Sequence, residues 1–298
     1  MTHDARFVSE QYWSRHNVTN HRTFATREES LEYLEWRNDQ YFGYIDLLPV
    51  QGHDGKVILD YGCGPGNDLV GDHRGGDNLY SSSVVALEGK TGKLRWYYQF
   101  TPHNVWDYDA QAPFVLVDTA WMGKPRKLLL HADRNGFFYV FDRLSGELLL
   151  GKPFAEKLTW ANSIGPDRRP VVNPNQEPSA EGTKVCPALE GATNWYSTSY
   201  HPGTNLYYVQ TIEHCATFTK RDVAWKAGAG YMGGTWRREP GKQILRAFDI
   251  STGKPRWELP QTGPSNSWGG VLSTAGGVVL FGEDGGLFSA VDAKTGKR

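Results

Sequence analysis

Val140-Phe141-Asp142-Arg143-Leu144-Ser145-Gly146 is the stretch on which the fold turns. Its spacing is a small or apolar residue, any residue, an acid, two variable residues, Ser or Thr, and Gly. The same spacing recurs at Ala86-Leu87-Glu88-Gly89-Lys90-Thr91-Gly92, at Ala247-Phe248-Asp249-Ile250-Ser251-Thr252-Gly253 and at Ala290-Val291-Asp292-Ala293-Lys294-Thr295-Gly296. Each copy reads as a strand, a turn and a return strand. Self-similarity of this kind marks a repeat architecture, in which each unit buries its apolar face against the next. The closing glycines fall at 92, 146, 253 and 296, so the steps are 54, 107 and 43 residues. The long step leaves room for one further unit with a degenerate motif.

Composition agrees with a turn-rich β protein: 34 glycines and 13% aromatic residues in 298. A net charge of −1 and the lack of a long charge run argue against nucleic acid as a partner. No apolar run approaches the ~18 residues that a membrane span needs. The opening MTHDARFVSEQYWSRHN has no apolar core of a signal peptide.

A second stretch carries the chemistry: Thr101-Pro102-His103-Asn104-Val105-Trp106-Asp107-Tyr108-Asp109-Ala110. In an extended chain Asp107 and Asp109 project from one face. Two carboxylates so close repel, and a cation or a shared proton is expected between them. His131-Ala132-Asp133-Arg134-Asn135-Gly136 follows, with Asn135-Gly136 as a tight-turn signal and Arg134 on its shoulder. The plainer alternative is two surface acids and a solvated arginine at a turn. Trp106 reads as packing, and His103, His131 and His214 as structural histidines, since none has a zinc-like spacing with cysteine.

From about His73 the chain resembles the PQQ-dependent alcohol dehydrogenases, the quinoprotein β-propellers. GGDNLYSSSVVAL, TPHNVWDYDA, LLLHADRNGFFYVFDRLSG, CPALEGATNW and SWGGVLSTAGGVVLFGEDGG carry the likeness, in family order. The resemblance implies a mainly β fold, with residues 73–298 forming about four to five of the family's eight blades. Trp96 and Trp257, four residues after their glycines, match the family's tryptophan docking motif, and Leu150 takes that place in the second copy. By the same likeness Asp107 is the catalytic base and Arg134 the arginine beside the quinone carbonyls. Asn194 and Trp268 match cofactor-contacting positions, and Cys186 and Cys215 match two cysteines that pair. The vicinal cysteine pair of many relatives is absent. The implied reaction is oxidation of a primary alcohol by hydride transfer to PQQ, with a metal ion bound at Asp107 and Asp109. An acid two residues after the base resembles the lanthanide-dependent branch; calcium enzymes have a small residue there. A cytochrome c-type electron acceptor and a periplasmic location are further implications. The family's glutamate and asparagine metal ligands, and the tryptophan beneath the PQQ ring, precede the matching region.

Residues 1–70 read differently. Thr26-Arg27-Glu28-Glu29 forms a capping box before a helix. Val57-Ile58-Leu59-Asp60-Tyr61 is a short strand running into Gly62-Cys63-Gly64-Pro65-Gly66. The string VILDYGCGPGNDLVG resembles the first motif of class I S-adenosylmethionine-dependent methyltransferases, in which Asp60, Gly62, Gly64 and Gly66 would cradle the cofactor. No second strand ending in an acid follows about 20 residues on. This segment therefore reads as a truncated Rossmann-type methyltransferase head joined near residues 70–73. Two alternatives stand beside the dehydrogenase reading: a methyltransferase remnant, and a chimeric propeller arc without catalysis.

Overall fold

The structure, a computed structural model, describes residues 57–61, 76–222, 232–265 and 268–298, together with positions 26 and 28. Every named element in these residues is a strand. The helix expected after Thr26, the glycine turn at Gly62, Gly64 and Gly66, and Cys63 lie outside them.

Four blades follow one another among the described residues. The first is β1 (Val57–Tyr61), β2 (Ser83–Glu88) and β3 (Leu94–Gln99), in that order. The second is β4 (Val115–Trp121), β5 (Lys124–Ala132), β6 (Phe137–Asp142) and β7 (Glu147–Pro153). The interval after it holds β8 (Ala161–Ile164), β9 (Pro170–Val172) and β10 (Thr183–Val185). The third blade joins β11 (Ser199–His201), β12 (Leu206–Glu213), β15 (Lys242–Asp249) and β16 (Pro255–Pro260). Between β12 and β15 run β13 (Ala216–Lys220) and β14 (Gly234–Arg238). The fourth blade is β17 (Val271–Ser273), β18 (Val278–Gly282) and β19 (Phe288–Asp292). All blade pairings are antiparallel.

The long step in the repeat therefore holds no fifth blade among the described residues. Its residues form a two-stranded sheet, β8 with β9, and a three-stranded sheet, β10-β13-β14, beside the third blade. β1 pairs antiparallel with β2, from Val57 opposite Glu88 to Tyr61 opposite Val84, and so is a strand of the first blade.

The repeat has a local physical cause. The acid in each copy anchors the turn after its strand. Asp142 Oδ1 accepts from the amides of Leu144 (3.0 Å) and Ser145 (3.3 Å), Asp249 from Ser251 (2.9 Å), and Asp292 from Thr295 (2.8 Å). The closing glycine returns its own N–H to the acid's carbonyl, at 2.8 to 2.9 Å in all four copies. These glycines have φ of +67°, +76°, +67° and +69°, the left-handed region where a Cβ is costly.

The same glycines are docking sockets between blades. An added Cβ would lie 2.6 Å from the Trp96 indole at Gly146, 3.0 Å from Leu150 at Gly253 and 2.7 Å from the Trp257 indole at Gly296. Trp96 Nε1 also donates to Arg143 O (3.2 Å), and Trp257 Nε1 to Ala293 O (3.1 Å). Each blade thus inserts one side chain into the turn of the next, as the docking motif implies. Three apolar clusters fill the seams between successive blades. Because β6 is covered on both faces, all six of its residues are buried.

Candidate active site

The loops after β3, after β5 and before β11 meet at one end of the blades. The turn after β5 is closed by Gly136 N–H donating to Asp133 O (3.0 Å), with Gly136 at φ +92°. Arg134 and Asn135 are its central residues, so Arg134 is inside the turn rather than on its shoulder. Asp133, wholly buried, accepts from Asn135 N (2.9 Å) and bonds the His131 ring (2.9 Å). Asn135 Nδ2 reaches Phe100 O at 3.0 Å, tying this turn to the end of β3.

Asp107 departs from the extended geometry that the sequence suggests: its φ is +66°. A non-glycine residue there stores strain, a feature that gathers at functional sites. Asn104 holds the bend, its Oδ1 accepting from Tyr108 N (2.9 Å) and Trp106 N (3.3 Å). Both acids nevertheless face one cation. Arg134 Nη2 donates to Asp107 Oδ2 at 3.0 Å, and Arg134 Nη1 lies 4.0 Å from Asp109 Oδ2. Arg134 is 4% exposed, and its Nε has no hydrogen-bond partner among the described residues. Burial pushes the Asp107 carboxyl up to about 7, against the pull of Arg134; Asp109 and Glu190 push the same way as burial.

The loop from 186 to 196 forms the other wall. Cys186 and Cys215 are disulfide-bonded, as the resemblance implies. Beyond the bridge, Tyr108 OH donates to Pro187 O (2.5 Å) and Arg134 Nη2 to Leu189 O. Gly191, at φ +79°, lies so close over Arg134 that a Cβ would come within 2.6 Å of Arg134 Cβ and 2.8 Å of its carbonyl. Asn194 is buried; Oδ1 accepts from Gln111 Nε2 (2.7 Å) and Trp195 N (2.9 Å), and Nδ2 donates to Glu190 O (2.7 Å). Trp268 stacks on Trp195 at 5.9 Å, and both indoles are partly exposed. Trp106 is buried against Tyr108 and Trp160, a packing residue as expected.

Asp107, Asp109 and Arg134 thus converge, and Asn194 is tied to the acid loop through Gln111. Asp60 is in β1, and nothing is described of its side chain. Gln111, Leu189, Glu190 and Gly191 were not legible as site residues. Only their place in or beside the TPHNVWDYDA and CPALEGATNW stretches pointed toward them.

The chain is similar to β-propellers of the PQQ-dependent alcohol dehydrogenase type. Residues 59–158 match the family described as glucose/ethanol/alcohol dehydrogenase, beta-propeller domain. The chain is 39% identical over 236 residues to quinoprotein alcohol dehydrogenase PedH of Pseudomonas putida, covering 76% of this chain and 39% of that one. It is 35% identical over 263 residues to the lanthanide-dependent methanol dehydrogenase of Methylorubrum extorquens, covering 82% and 43%. The solved structure of a europium-containing methanol dehydrogenase superposes with a TM-score of 0.73 at 34% identity, covering 83% and 44%. The chain spans about two fifths of the length of these relatives.

Proposed function

We infer that the described blades carry the proton-accepting side of an alcohol-oxidising site that works with PQQ and a hard metal ion. The observation that carries this reading is the buried Arg134 paired with the largely covered Asp107, with Asp109 beside it. The relatives' names add the chemistry: quinoprotein alcohol dehydrogenase, lanthanide-dependent and europium-containing methanol dehydrogenase.

The residues fit those groups. A buried guanidinium N–H without a partner among the described residues, Arg134 Nε, is a donor in want of an acceptor, which a quinone or carboxylate oxygen of PQQ provides. Asp107 and Asp109 offer hard oxygen ligands, and a carboxylate pushed up by burial gains from a nearby cation. Among the described residues no cluster of three His, Cys, Asp or Glu could hold a metal, and Asp107 and Asp109 are the two acids these blades would contribute. Asn194 and Trp268 would border the PQQ ring. When bound, PQQ accepts the hydride and the ion polarises its carbonyl.

The chain's own part is proton transfer and positioning. Asp107 takes the hydroxyl proton of a primary alcohol at the oxygen that Arg134 does not hold. Arg134 keeps its charge throughout and fixes the carboxylate's orientation. A trivalent ion suits two adjacent carboxylates better than a divalent one, which favours the lanthanide branch over calcium. Electrons would leave to a cytochrome c-type acceptor in the periplasm.

Terbium(III) luminescence of the 298-residue chain with PQQ tests the reading. Asp109→Ala should weaken terbium binding about tenfold or more, a loss of at least ~1.4 kcal/mol. Asp107→Asn should largely spare metal binding. In a protein completed with a relative's remaining blades, the same Asp107→Asn should abolish dye-linked alcohol turnover. Terbium binding that is indifferent to Asp109, or full turnover by the Asp107→Asn variant, would sink the assignment.

A further inference from the structure

The Asn194 side chain is 2% exposed, and most of its hydrogen-bonding capacity is filled from within the chain. Oδ1 accepts from the backbone N–H of Trp195 (2.9 Å) and from Gln111 Nε2 (2.7 Å), and Nδ2 donates to the backbone carbonyl of Glu190 (2.7 Å). Two of these partners have fixed roles, since a backbone N–H only donates and a backbone carbonyl only accepts. They settle which end of the Asn194 amide is oxygen and which is nitrogen. That in turn settles the Gln111 amide, whose nitrogen must face the Asn194 oxygen. Both lone pairs of Oδ1 are then taken, and what Asn194 has left, among the described residues, is one N–H.

Glu190 and Trp195 belong to the same loop as Asn194, whereas Gln111 reaches it from across the site. Gln111 is itself part of the acid loop, its N–H donating to Asp109 O at 2.9 Å. The bonds close into a circuit around the candidate site. Gln111 joins the acid loop to Asn194, and Asn194 joins Glu190. The next carbonyl, that of Leu189, accepts from Arg134 Nη2, and the same Nη2 donates to Asp107 Oδ2 at 3.0 Å.

We propose that Gln111 is a positioning residue for cofactor recognition: by occupying the second lone pair of Asn194 Oδ1 it leaves Asn194 a donor and nothing else, so this wall selects an acceptor oxygen of the ligand. The inference rests on the reading that Asn194 borders the PQQ ring, and it adds the polarity of that contact. Without Gln111 the Asn194 oxygen has a lone pair to offer, and the wall accepts an N–H or O–H as readily as it donates. PQQ carries both kinds of group, quinone and carboxylate oxygens and a pyrrole N–H, so the polarity of the wall bears on which edge of the ring faces it.

The test uses the 298-residue chain, isotope-labelled at asparagine nitrogen, with PQQ as the ligand. The Asn194 amide proton pair is identified as the one lost in Asn194→Asp. Gln111→Ala removes the donor, whereas Gln111→Glu keeps the shape and sets a carboxylate oxygen against Asn194 Oδ1. Both variants should shift the Asn194 resonances and speed their exchange with solvent about tenfold, with an unchanged circular dichroism spectrum. PQQ affinity, read by tryptophan quenching, should fall about threefold in Gln111→Ala and about tenfold in Gln111→Glu. A role in packing alone reverses that order, because the isosteric change keeps the contact and the truncation loses it. Asn194 resonances and exchange indifferent to both variants overturn the proposal. So does a PQQ affinity that neither variant lowers, or that Gln111→Ala lowers more than Gln111→Glu. A parent chain that takes up no PQQ overturns the cofactor reading instead, and the amide spectrum then decides by itself whether Gln111 holds Asn194.

Discussion

Gly191→Ala tests whether the wall over Arg134 is as tight as its geometry requires. The new Cβ would sit 2.6 Å from Arg134 Cβ, 2.8 Å from Arg134 O and 2.9 Å from Arg134 Cα. Two of those atoms are backbone, in a turn that hydrogen bonds from Asn135 and Gly136 hold in place. Ordinary contact begins near 3.4 Å, so one loop must move by about 0.8 Å. Overpacking of this kind costs ~1–3 kcal/mol, and a left-handed φ of +79° adds ~1–2 kcal/mol for alanine. The total is about 2–5 kcal/mol. Gly123→Ala separates the two contributions, because Gly123 has φ +77° with nothing among the described residues within 4 Å and should cost only the conformational part. Urea unfolding at neutral pH, with matched slopes, is the assay. The two variants should differ by ~1–3 kcal/mol, with Gly191→Ala the less stable. Equal midpoints would refute the claim that the 186–196 loop packs against the Arg134 backbone.

Trp96→Ala should destabilise by about 2 kcal/mol in the same assay, below the ~3–5 kcal/mol of a fully buried tryptophan because Trp96 is half-buried; no change would mean that the Gly146 socket contributes nothing. Reduction of the Cys186–Cys215 bridge, which closes a separation of 29 residues, should cost about 3–4 kcal/mol and lower the unfolding temperature in a calorimeter. Burial works against the charge on Asp142, but hydrogen bonds from Arg126, Leu144 and Ser145 together outweigh it and hold its carboxyl below the usual range. An acid held low in the folded state adds stability above its unfolded value of about 3.9, and that stability is lost as pH falls through the folded value. Asp142→Asn should therefore cost most at neutral pH, and its stability gap to the parent should narrow toward about pH 3; a gap constant with pH would count against the assignment.

The scaffold was legible because its signal is local. Acid, turn and glycine lie within five residues of one another, so the bonds from Asp142 to Leu144 and Ser145 are written into seven consecutive positions. The docking pairs were legible for the same reason, each lying at a fixed offset from its glycine. The interval from 154 to 198 was not, since β8 and β9 pair only with each other, β10 pairs across the third blade's insertion, Val185 with Ala216, and no repeat marks them. The bend at Asp107 was also hidden. A left-handed aspartate is chosen by the Asn104 carbonyl oxygen and the walls around it rather than by its own propensity. The support of Arg134 by Leu189 and the bond from Gln111 to Asn194 join residues 55 and 83 positions apart, which spacing cannot reveal.

The site also shows how one turn of a repeat diverges from its counterpart. The turn that carries Arg134 has a counterpart in the fourth blade, where Glu283-Asp284-Gly285-Gly286 stands at the same offsets from its closing glycine as Asp133-Arg134-Asn135-Gly136. The backbones agree. Gly136 and Gly286 have φ of +92° and +87°, and each donates to the residue three before it at 3.0 Å. Asp133 N–H reaches Phe137 O at 3.0 Å, and Glu283 N–H reaches Leu287 O at 2.7 Å. The second position diverges: where the second blade turns a guanidinium toward Asp107, the fourth presents Asp284, which accepts from the Ser265 amide. The repeat supplies the same hairpin in the second and fourth blades, and the two differ at the position that holds Arg134 in one and Asp284 in the other. An arginine buried there is tolerable only where a neighbouring loop brings acids to meet it, and the insertion of Asp107 and Asp109 between the first and second blades does that. Arg134 therefore stands where the repeat's backbone persists and its sequence does not.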